Sequence, residues 1–511
     1  MPSATPAPRR PSVIVAGGGI AGLSTAYALR GRADVTVLEA SPRWGGKIHT
    51  VGMLDPLEES RAWPVDTGPD SLLIRHPAVR GLVADLGLVP DVVAPAIRGS
   101  YLWLDGVLRP MPAGSLFGVP DRLLPLLRNR VVGPWGMLRA AADLVLPRRA
   151  LPADPSLAQL LRHRFGPAVF DRLIEPMLGG VHAGRATRLS AASTVPEVMR
   201  LLDGHRSVFL ALRAAERRRA SGASAAPSAS ASPSGAAAGP QAGASSASPA
   251  ALPAAPLVTF RAGLSQLVEA LLKALADAGA ELLPETAAAS VTRDGEGWRV
   301  AVRAADGLTV SRRADHVVLA VPAPVALPLL EGVDGLDPAV PAALAGIETV
   351  SVATVTLAFP RSAVPGELAA TGFLVPPGAG RLLVGCSWLT SKWEHLRNDE
   401  TVLFRCMVGR DGDQVFTDLD DETLVRAVTD ELRQAVGARG EPAAALVRRW
   451  DGAMPQYTVG HRARLDALGA GLAPLPGLHV TGSSYRGVGV ASCIVDGFAT
   501  AAAIAAPQEQ P

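Results

Sequence analysis

Val13 to Glu39 reads V-I-V-A-G-G-G-I-A-G-L-S-T-A-Y-A-L-R-G-R-A-D-V-T-V-L-E. The apolar run Val13–Ala16 predicts a buried parallel strand. Gly17, Gly19 and Gly22 follow in G-x-G-x-x-G spacing. Gly17 permits a tight turn, Gly19 lets the backbone approach a pyrophosphate, and Gly22 lets a helix pack on the strand. Leu23, Ala26 and Leu29 give that helix an apolar stripe. Its first N–H groups and the positive end of its dipole face an anion. A second strand, Val35–Leu38, ends at Glu39, where an acid accepts hydrogen bonds from ribose hydroxyls. The glycine spacing alone is weak evidence. The full strand–turn–helix–strand–acid context predicts a dinucleotide site at Gly17, Gly18, Gly19, Ile20, Ala21, Gly22, Glu39 and Ala40. A signal peptide or membrane span is the competing reading, because Arg9 and Arg10 precede a charge-free stretch. Its glycines, the lack of an A-x-A site and its direct passage into the second strand argue against both.

The 511 residues allow two to four domains, and 48% hydrophobic with 19% charged residues describes a globular chain with a large core. A net charge of +2 excludes a general affinity for nucleic acid or anionic membrane. Cys386, Cys406 and Cys493 form no C-x-x-C, which points to a reducing compartment, the cytoplasm, and to no structural metal. No transmembrane segment is expected, and peripheral membrane contact stays compatible. Only Lys47, Lys273 and Lys392 are lysines; arginine supplies the other basic side chains, a bias that fits a GC-rich bacterial genome.

Further along, Arg43-Trp44-Gly45-Gly46-Lys47 and Val65–Ser71 read as turn-rich loops. Residues 77–90 predict a short helix. Tyr101 to Pro112 predicts a hairpin turning at Asp105-Gly106. Residues 115–210 are mostly helical in pattern. Residues 220–256 are almost all Ala, Ser, Pro and Gly, with nothing large to bury, and predict a disordered linker. Residues 281–318 alternate as β-structure, 345–410 are strand-rich, and 420–437 make an amphipathic helix. The end repeats the opening logic: Gly477–Gly482 leads a strand into a glycine turn, and Gly487-Val488-Gly489-Val490 opens a helix running to about Ala505. The expected class is α/β: a discontinuous Rossmann-like dinucleotide domain (11–90, 257–325, 446–506), an inserted helical domain (91–215), the linker (216–256) and a mixed α+β substrate domain (326–445).

The opening motif with Arg43-x-Gly-Gly-Lys47 resembles the FAD-binding fold of the amine oxidase superfamily. Several stretches resemble its protoporphyrinogen/coproporphyrinogen oxidases: Gly68–Ser71, Glu175–Gly184, Phe260–Leu264, Met454–His461 and Gly482–Val490. The resemblance spans about residues 12–505 apart from the linker. Ala491-Ser492 departs from it, since Pro-Asp is common there. It implies non-covalent FAD, with the Gly17–Gly22 turn on the pyrophosphate and Glu39 on the ribose. Lys47, Gly68, Pro69, Asp70 and Ser71 would line the isoalloxazine, the Val291 backbone would meet the adenine, and Trp450 with Val488, Gly489 and Val490 would close the flavin end.

The implied reaction removes six electrons from a porphyrinogen, with oxygen as acceptor and hydrogen peroxide as product. The flavin carries the redox chemistry. The chain must hold a large flat ring bearing carboxylates and needs no strong acid or base. No nucleophile–base pair or metal cluster stands out, and His182 reads as structural. The resemblance places Arg98 on a substrate propionate, suited by its bidentate fork. Gly180 would admit the ring edge, Phe373 and Leu374 would form an apolar wall, and Arg185 or Arg188 are weaker carboxylate candidates. In high-GC Gram-positive bacteria this chemistry implies coproporphyrinogen III as substrate, with a ferrochelatase as candidate partner. The alternatives are a protoporphyrinogen IX oxidase, an amine oxidase or desaturase, and a redox-silent escort protein of the same fold. Oligomeric state is left open.

Overall fold

The computed structural model describes residues 9–506 except 59, 113–114, 117–118, 121–123, 148–150, 204, 221–251 and 254. A five-stranded parallel sheet carries the nucleotide motif. Its order is Glu281–Leu283, Asp34–Leu38, Ser12–Ala16, His316–Leu319 and Leu478–Val480. The central strand explains its own sequence. Helices cover both faces, so Val13 and Val15 enter one core while Ile14 and Ala16 enter the other, and no polar alternation survives. The helices Ile20–Leu29 and Val490–Ala505 cross closely at a glycine. A Cβ on Gly497 would stand 2.6 Å from the Ala21 carbonyl oxygen.

The second layer is a seven-stranded sheet ordered Ala444–Pro455, Thr349–Pro360, Thr401–Val408, Leu383–Trp388, Gly372–Leu374, Tyr101–Leu104 and Val107–Pro110. The last two strands form the expected hairpin. Asp105 and Gly106 both have positive φ, 53° and 78°, the left-handed pair that matches strand twist. The helix Asp421–Val436 belongs to the core on one face of this sheet. The other face looks toward the helical block, where Leu102, Leu104 and Leu374 join the helical core.

Several boundaries differ from the sequence expectation. Within the block read as helical, Ser115–Leu116 and Val119–Pro120 pair as a short ladder. The helix Val208–Ala220 runs five residues into the stretch read as linker, and most of that stretch lies outside the described residues. The strand Ala444–Pro455 lies whole in the seven-stranded sheet, so the 445/446 boundary falls inside it. Among the described residues no helix is long and apolar enough to cross a membrane.

Candidate functional site

The glycine turn divides into packed and open positions. Gly17 has φ +115°, and a Cβ there would meet the Ala320 carbonyl oxygen at 2.7 Å. A Cβ on Gly22 would overlap the Gly17 carbonyl, and one on Gly18 would overlap the Trp44 ring. Gly19 differs: nothing lies closer to its added Cβ than the Gly46 Cα at 3.9 Å. Gly489, at the start of the final helix, is fully open. Neither helix has a side-chain cap on its first N–H groups. Two uncapped helix N-termini beside open glycine backbone suit a ligand with two phosphates. Ile20 and Ala21 are buried behind the turn.

Glu39 folds onto this turn. Its Oε2 accepts from the Gly18 N–H at 2.9 Å, and its Oε1 accepts from the Ser41 N–H and hydroxyl at 2.9 and 2.8 Å. Ala40 beside it is exposed. The Arg43–Lys47 loop zips along the same backbone, with the Gly45 N–H donating to the Gly18 carbonyl at 2.9 Å. Arg43 holds the loop by donating to the carbonyls of Trp44, Gly46 and Ile48. Lys47 donates to the Ser483 hydroxyl at 3.0 Å, and burial lowers its pKa. This bond ties the two glycine turns, near the two ends of the chain, to each other.

The turn Thr67–Ser71 lies beside Lys47, and a Cβ on Gly68 would overlap the Lys47 carbonyl. Trp450 Nε1 and Thr354 Oγ1 both donate to the Thr67 carbonyl, at 3.0 and 2.8 Å. Arg405 donates to the Gly68 carbonyl. Asp70 accepts from Lys392 at 2.7 Å and from Ser71 at 3.0 Å, with Arg405 at 3.9 Å. Burial alone would raise the Asp70 pKa; the Lys392 and Arg405 cations outweigh it and hold the carboxyl far below the usual range. Asp66 has no such cation within bonding distance among the described residues. Burial pushes it up to about 6, against hydrogen bonds from Thr50 and the Leu264 N–H. At the far side, Tyr457 donates its hydroxyl to the Ser483 carbonyl and accepts from the Gly487 N–H, both at 2.7 Å, which clamps the turn leading to Val488, Gly489 and Val490. Val291 buries its side chain beside Trp298 and Val300, so any ligand contact there is through the backbone.

One transverse row crosses all seven strands of the second sheet. Register places Arg109 opposite Leu102, then Leu374, Gly385, Met407, Thr354 and Arg448, each beside the next. Residues directly opposite share a face, so these form one stripe. Gly180 adjoins it: its added Cβ would sit 3.8 Å from Leu374 Cδ2. Phe373, one residue earlier, points the other way. It packs edge-on against Trp103 and Trp388, at 5.8 and 6.5 Å between centroids, and is 2% exposed. Phe373 therefore does not form the expected wall with Leu374, because strand alternation sends neighbours to opposite faces.

Arg98 is exposed at the entrance to the hairpin, with no ion pair or hydrogen bond among the described residues. Arg185 and Arg188, the weaker carboxylate candidates, are engaged elsewhere. Arg185 donates to the carbonyls of Asp411 and Gly412, and Arg188 bridges Asp411 and Glu348 at 2.6–2.9 Å. They bolt the helical block to the sheet. His182 is buried, and desolvation lowers its pKa to about 4, so it is neutral at pH 7. The buried Lys392, Arg405, Asp66 and Tyr457 escaped the sequence reading of the site. Asp66 and Tyr457 lay inside stretches already singled out, Val65–Ser71 and Met454–His461, and Lys392 left a signal as one of three lysines in a chain that otherwise uses arginine.

Comparison with known proteins gives consistent matches. The family model for flavin-containing amine oxidoreductases matches residues 20–505. A coproporphyrinogen III oxidase of Bacillus subtilis (strain 168) is 32% identical over 496 residues, covering 95% of this chain and 96% of that protein. One from Propionibacterium freudenreichii subsp. freudenreichii is 36% identical over 488 residues, covering 95% and 89%. A solved structure from Exiguobacterium sp. 255-15, with a proposed protoporphyrinogen oxidase assignment, aligns at TM-score 0.78 and 26% identity over 98% of this chain and 99% of its own.

Proposed function

This chain belongs to the flavin-containing amine oxidoreductase family, and from that premise we propose that it oxidises coproporphyrinogen III to coproporphyrin III. The observation that carries this reading is the near end-to-end likeness to coproporphyrinogen III oxidases of several bacteria. The site's chemistry agrees with it. Leu374 and Met407, both half-buried, give an apolar floor beside Gly180, and Arg98 stands exposed at the neighbouring hairpin. That arrangement suits a large ring whose edge carries carboxylates.

Bound FAD, read as non-covalent, would supply the redox chemistry between the ring and oxygen. Six electrons leave the porphyrinogen with six protons, so three molecules of oxygen become three of hydrogen peroxide. The residues of the chain supply position. The N-termini at Ile20 and Val490 would hold the phosphates, and Glu39 would accept from the ribose. The Thr67–Ser71 turn, pinned by Trp450, Thr354, Arg405 and the Asp70–Lys392 pair, would fix one side of the cofactor relative to the sheet. Lys47 reaches the same region from a partly desolvated position. Leu374, Gly180 and Met407 exclude water from the floor. A covalent thioether at Cys493 is disfavoured, since burial raises its thiol pKa to about 12. Acid precipitation should leave all flavin in the supernatant; colour in the pellet would overturn the non-covalent reading.

The second reading is protoporphyrinogen IX, favoured by the 26% identical solved structure. The four propionates of coproporphyrinogen demand more cationic reach than the two of protoporphyrinogen. The free Arg98 provides it. Arg98→Ala should lose about 1.5–3 kcal/mol in transition-state binding with coproporphyrinogen III, the worth of a charged hydrogen bond, and less with protoporphyrinogen IX. Anaerobic preparation of both porphyrinogens, followed by porphyrin fluorescence on oxygenation, measures kcat/KM for each. A wild-type preference for protoporphyrinogen IX would replace the assignment.

A further inference from the structure

Most buried and half-buried arginines among the described residues are accounted for. Arg405, Arg410 and Arg464 each donate to a carbonyl oxygen, and Arg188 and Arg449 pair with carboxylates. Arg109 is different. Its buried Nε has no hydrogen-bond partner, as is also true of Arg405, Arg410 and Arg464, but unlike them Arg109 makes no hydrogen bond or ion pair through its other nitrogens either among the described residues. Arg448, at the opposite end of the same row, likewise leaves its Nε unsatisfied. It lies over the Trp450 ring at 4.8 Å, close enough to Arg43 and His49 to lower their pKa values, and so belongs to the cofactor end.

A partly desolvated guanidinium without an anion is costly, and its planar fork matches a carboxylate. The surroundings of Arg109 fit a ligand better than a missing structural partner. It shares its face with Leu102 and Leu374 across directly paired strands, and Leu374 is the residue that meets Gly180. Two strand spacings separate Arg109 from Leu374, about 10 Å. Leu102, wholly buried in the helical core, fills that gap, so a propionate would meet the long Arg109 side chain from the hairpin edge and not across the sheet. Arg98 lies three residues before the same hairpin but is exposed. The hairpin thus carries one guanidinium at the rim and another at the edge of the floor.

We propose that Arg109 binds a carboxylate of the substrate at the hairpin edge of the sheet and so sets the preference for a polycarboxylate ring. This rests on the porphyrinogen reading. Substrate carboxylates on the ring periphery meet Arg98 and Arg109 at different depths, and the apolar centre of the ring covers Leu374 and Met407.

The test uses the flavin-loaded full chain and its Arg109→Gln and Arg109→Lys variants. Binding is read from porphyrin fluorescence with coproporphyrin III and with its tetramethyl ester, which has the same ring without the anions. Turnover of coproporphyrinogen III is measured in parallel. Arg109→Gln is expected to weaken coproporphyrin III and raise KM roughly tenfold, the scale of one charged hydrogen bond. Ester affinity, kcat, flavin absorbance and melting midpoint should stay as in the wild type, and Arg109→Lys should recover part of the loss. Equal affinity of wild type and Arg109→Gln for coproporphyrin III would overturn the inference while leaving the function intact. So would a fall in melting midpoint with equal losses on acid and ester, which marks a packing role. A wild type that neither binds coproporphyrin III nor oxidises its porphyrinogen would overturn the functional reading and this inference together.

Discussion

The glycine turn after Ala16 is built from neighbours in sequence, whereas the row from Arg109 to Arg448 draws one residue from each of seven strands. In the turn, most of a glycine's reason lies inside one strand–helix–strand unit: Gly22 packs on Gly17, and Gly18 lies between Trp44 and Glu39, while the Ala320 carbonyl behind Gly17 comes from far along the chain. In the row, the reason for a residue is its register partner, as far away as Leu102 from Leu374. A local motif survives transfer between proteins as a readable string. A register-built face does not, because its spacing is set by loops of arbitrary length. The cofactor end of the molecule is accordingly legible, and the substrate end is assembled only by the fold.

The two regions meet at Asp70, where the largest effect is expected. Asp70 belongs to the turn, and Lys392 and Arg405 come from the sheet domain. Asp70→Asn strands two buried cations, so unfolding free energy should fall by about 3–5 kcal/mol. Lys392→Arg keeps the charge but replaces a compact ammonium, and should cost less. Urea unfolding of the flavin-loaded protein measures both. A loss under about 1 kcal/mol for Asp70→Asn would mean that the backbone contacts at Thr67 and Gly68, not the charges, hold the regions together.

A smaller contrast tests the turn alone. Gly22→Ala forces a methyl into the Gly17 carbonyl and close to Ala320 and Val15. Overpacking of this kind costs about 1–3 kcal/mol. Gly19→Ala meets open space, so the flavin-free protein should melt like the wild type. The same methyl stands where phosphate must approach, so flavin retention should collapse. Comparing melting midpoints of the flavin-free proteins with flavin content separates the two. Retained flavin in Gly19→Ala would remove the pyrophosphate from this turn.

Legibility in the sequence followed this division. The strand–turn–helix ends, the hairpin at Asp105-Gly106 and the helix at 421–436 all carry short-range signals and are present. Phe373 and Leu374 were indistinguishable in the sequence, and only the pleat assigns one to the core and one to the site. Arg185 and Arg188 looked available because their acceptors, the Asp411 loop and Glu348, lie far along the chain. The lysines are instructive. In a chain that otherwise uses arginine, Lys47 and Lys392 sit partly or fully buried on single oxygen partners, and only Lys273 is a surface lysine, paired with Asp277. A compact point charge fits where a guanidinium fork would leave donors unmatched. Rarity of a residue type was the usable signal.

The smallest effect comes from pH and concerns the joints between the regions. Burial pushes both His182, in the helical block, and His461, stacked on Tyr457, down to about 4. Their unfolded value is about 6.5, so between those limits the unfolded chain binds more protons, and stability falls as pH drops through the window. Asp66 acts in the opposite sense. Its folded value is about 6 and its unfolded value about 3.9, so the folded chain binds more protons and gains stability as pH falls from 6 toward 4. Asp70 stays ionised throughout and contributes no slope. From pH 7 to 5, each of these two histidines should cost about 2 kcal/mol and Asp66 should offset about 1.4, at about 1.36 per pKa unit, and His395 and His479, also pushed by burial down to about 4, add to the acid loss. Unfolding at pH 7, 6 and 5 checks the sign. The sharper experiment adds Asp66→Asn, which removes the opposing group and should steepen the acid loss by about 1.4 kcal/mol. If acid instead left stability flat in the wild type and unchanged in slope in Asp66→Asn, water would have to reach these groups. The joint between turn and sheet would then be a wet hinge and not a packed seam.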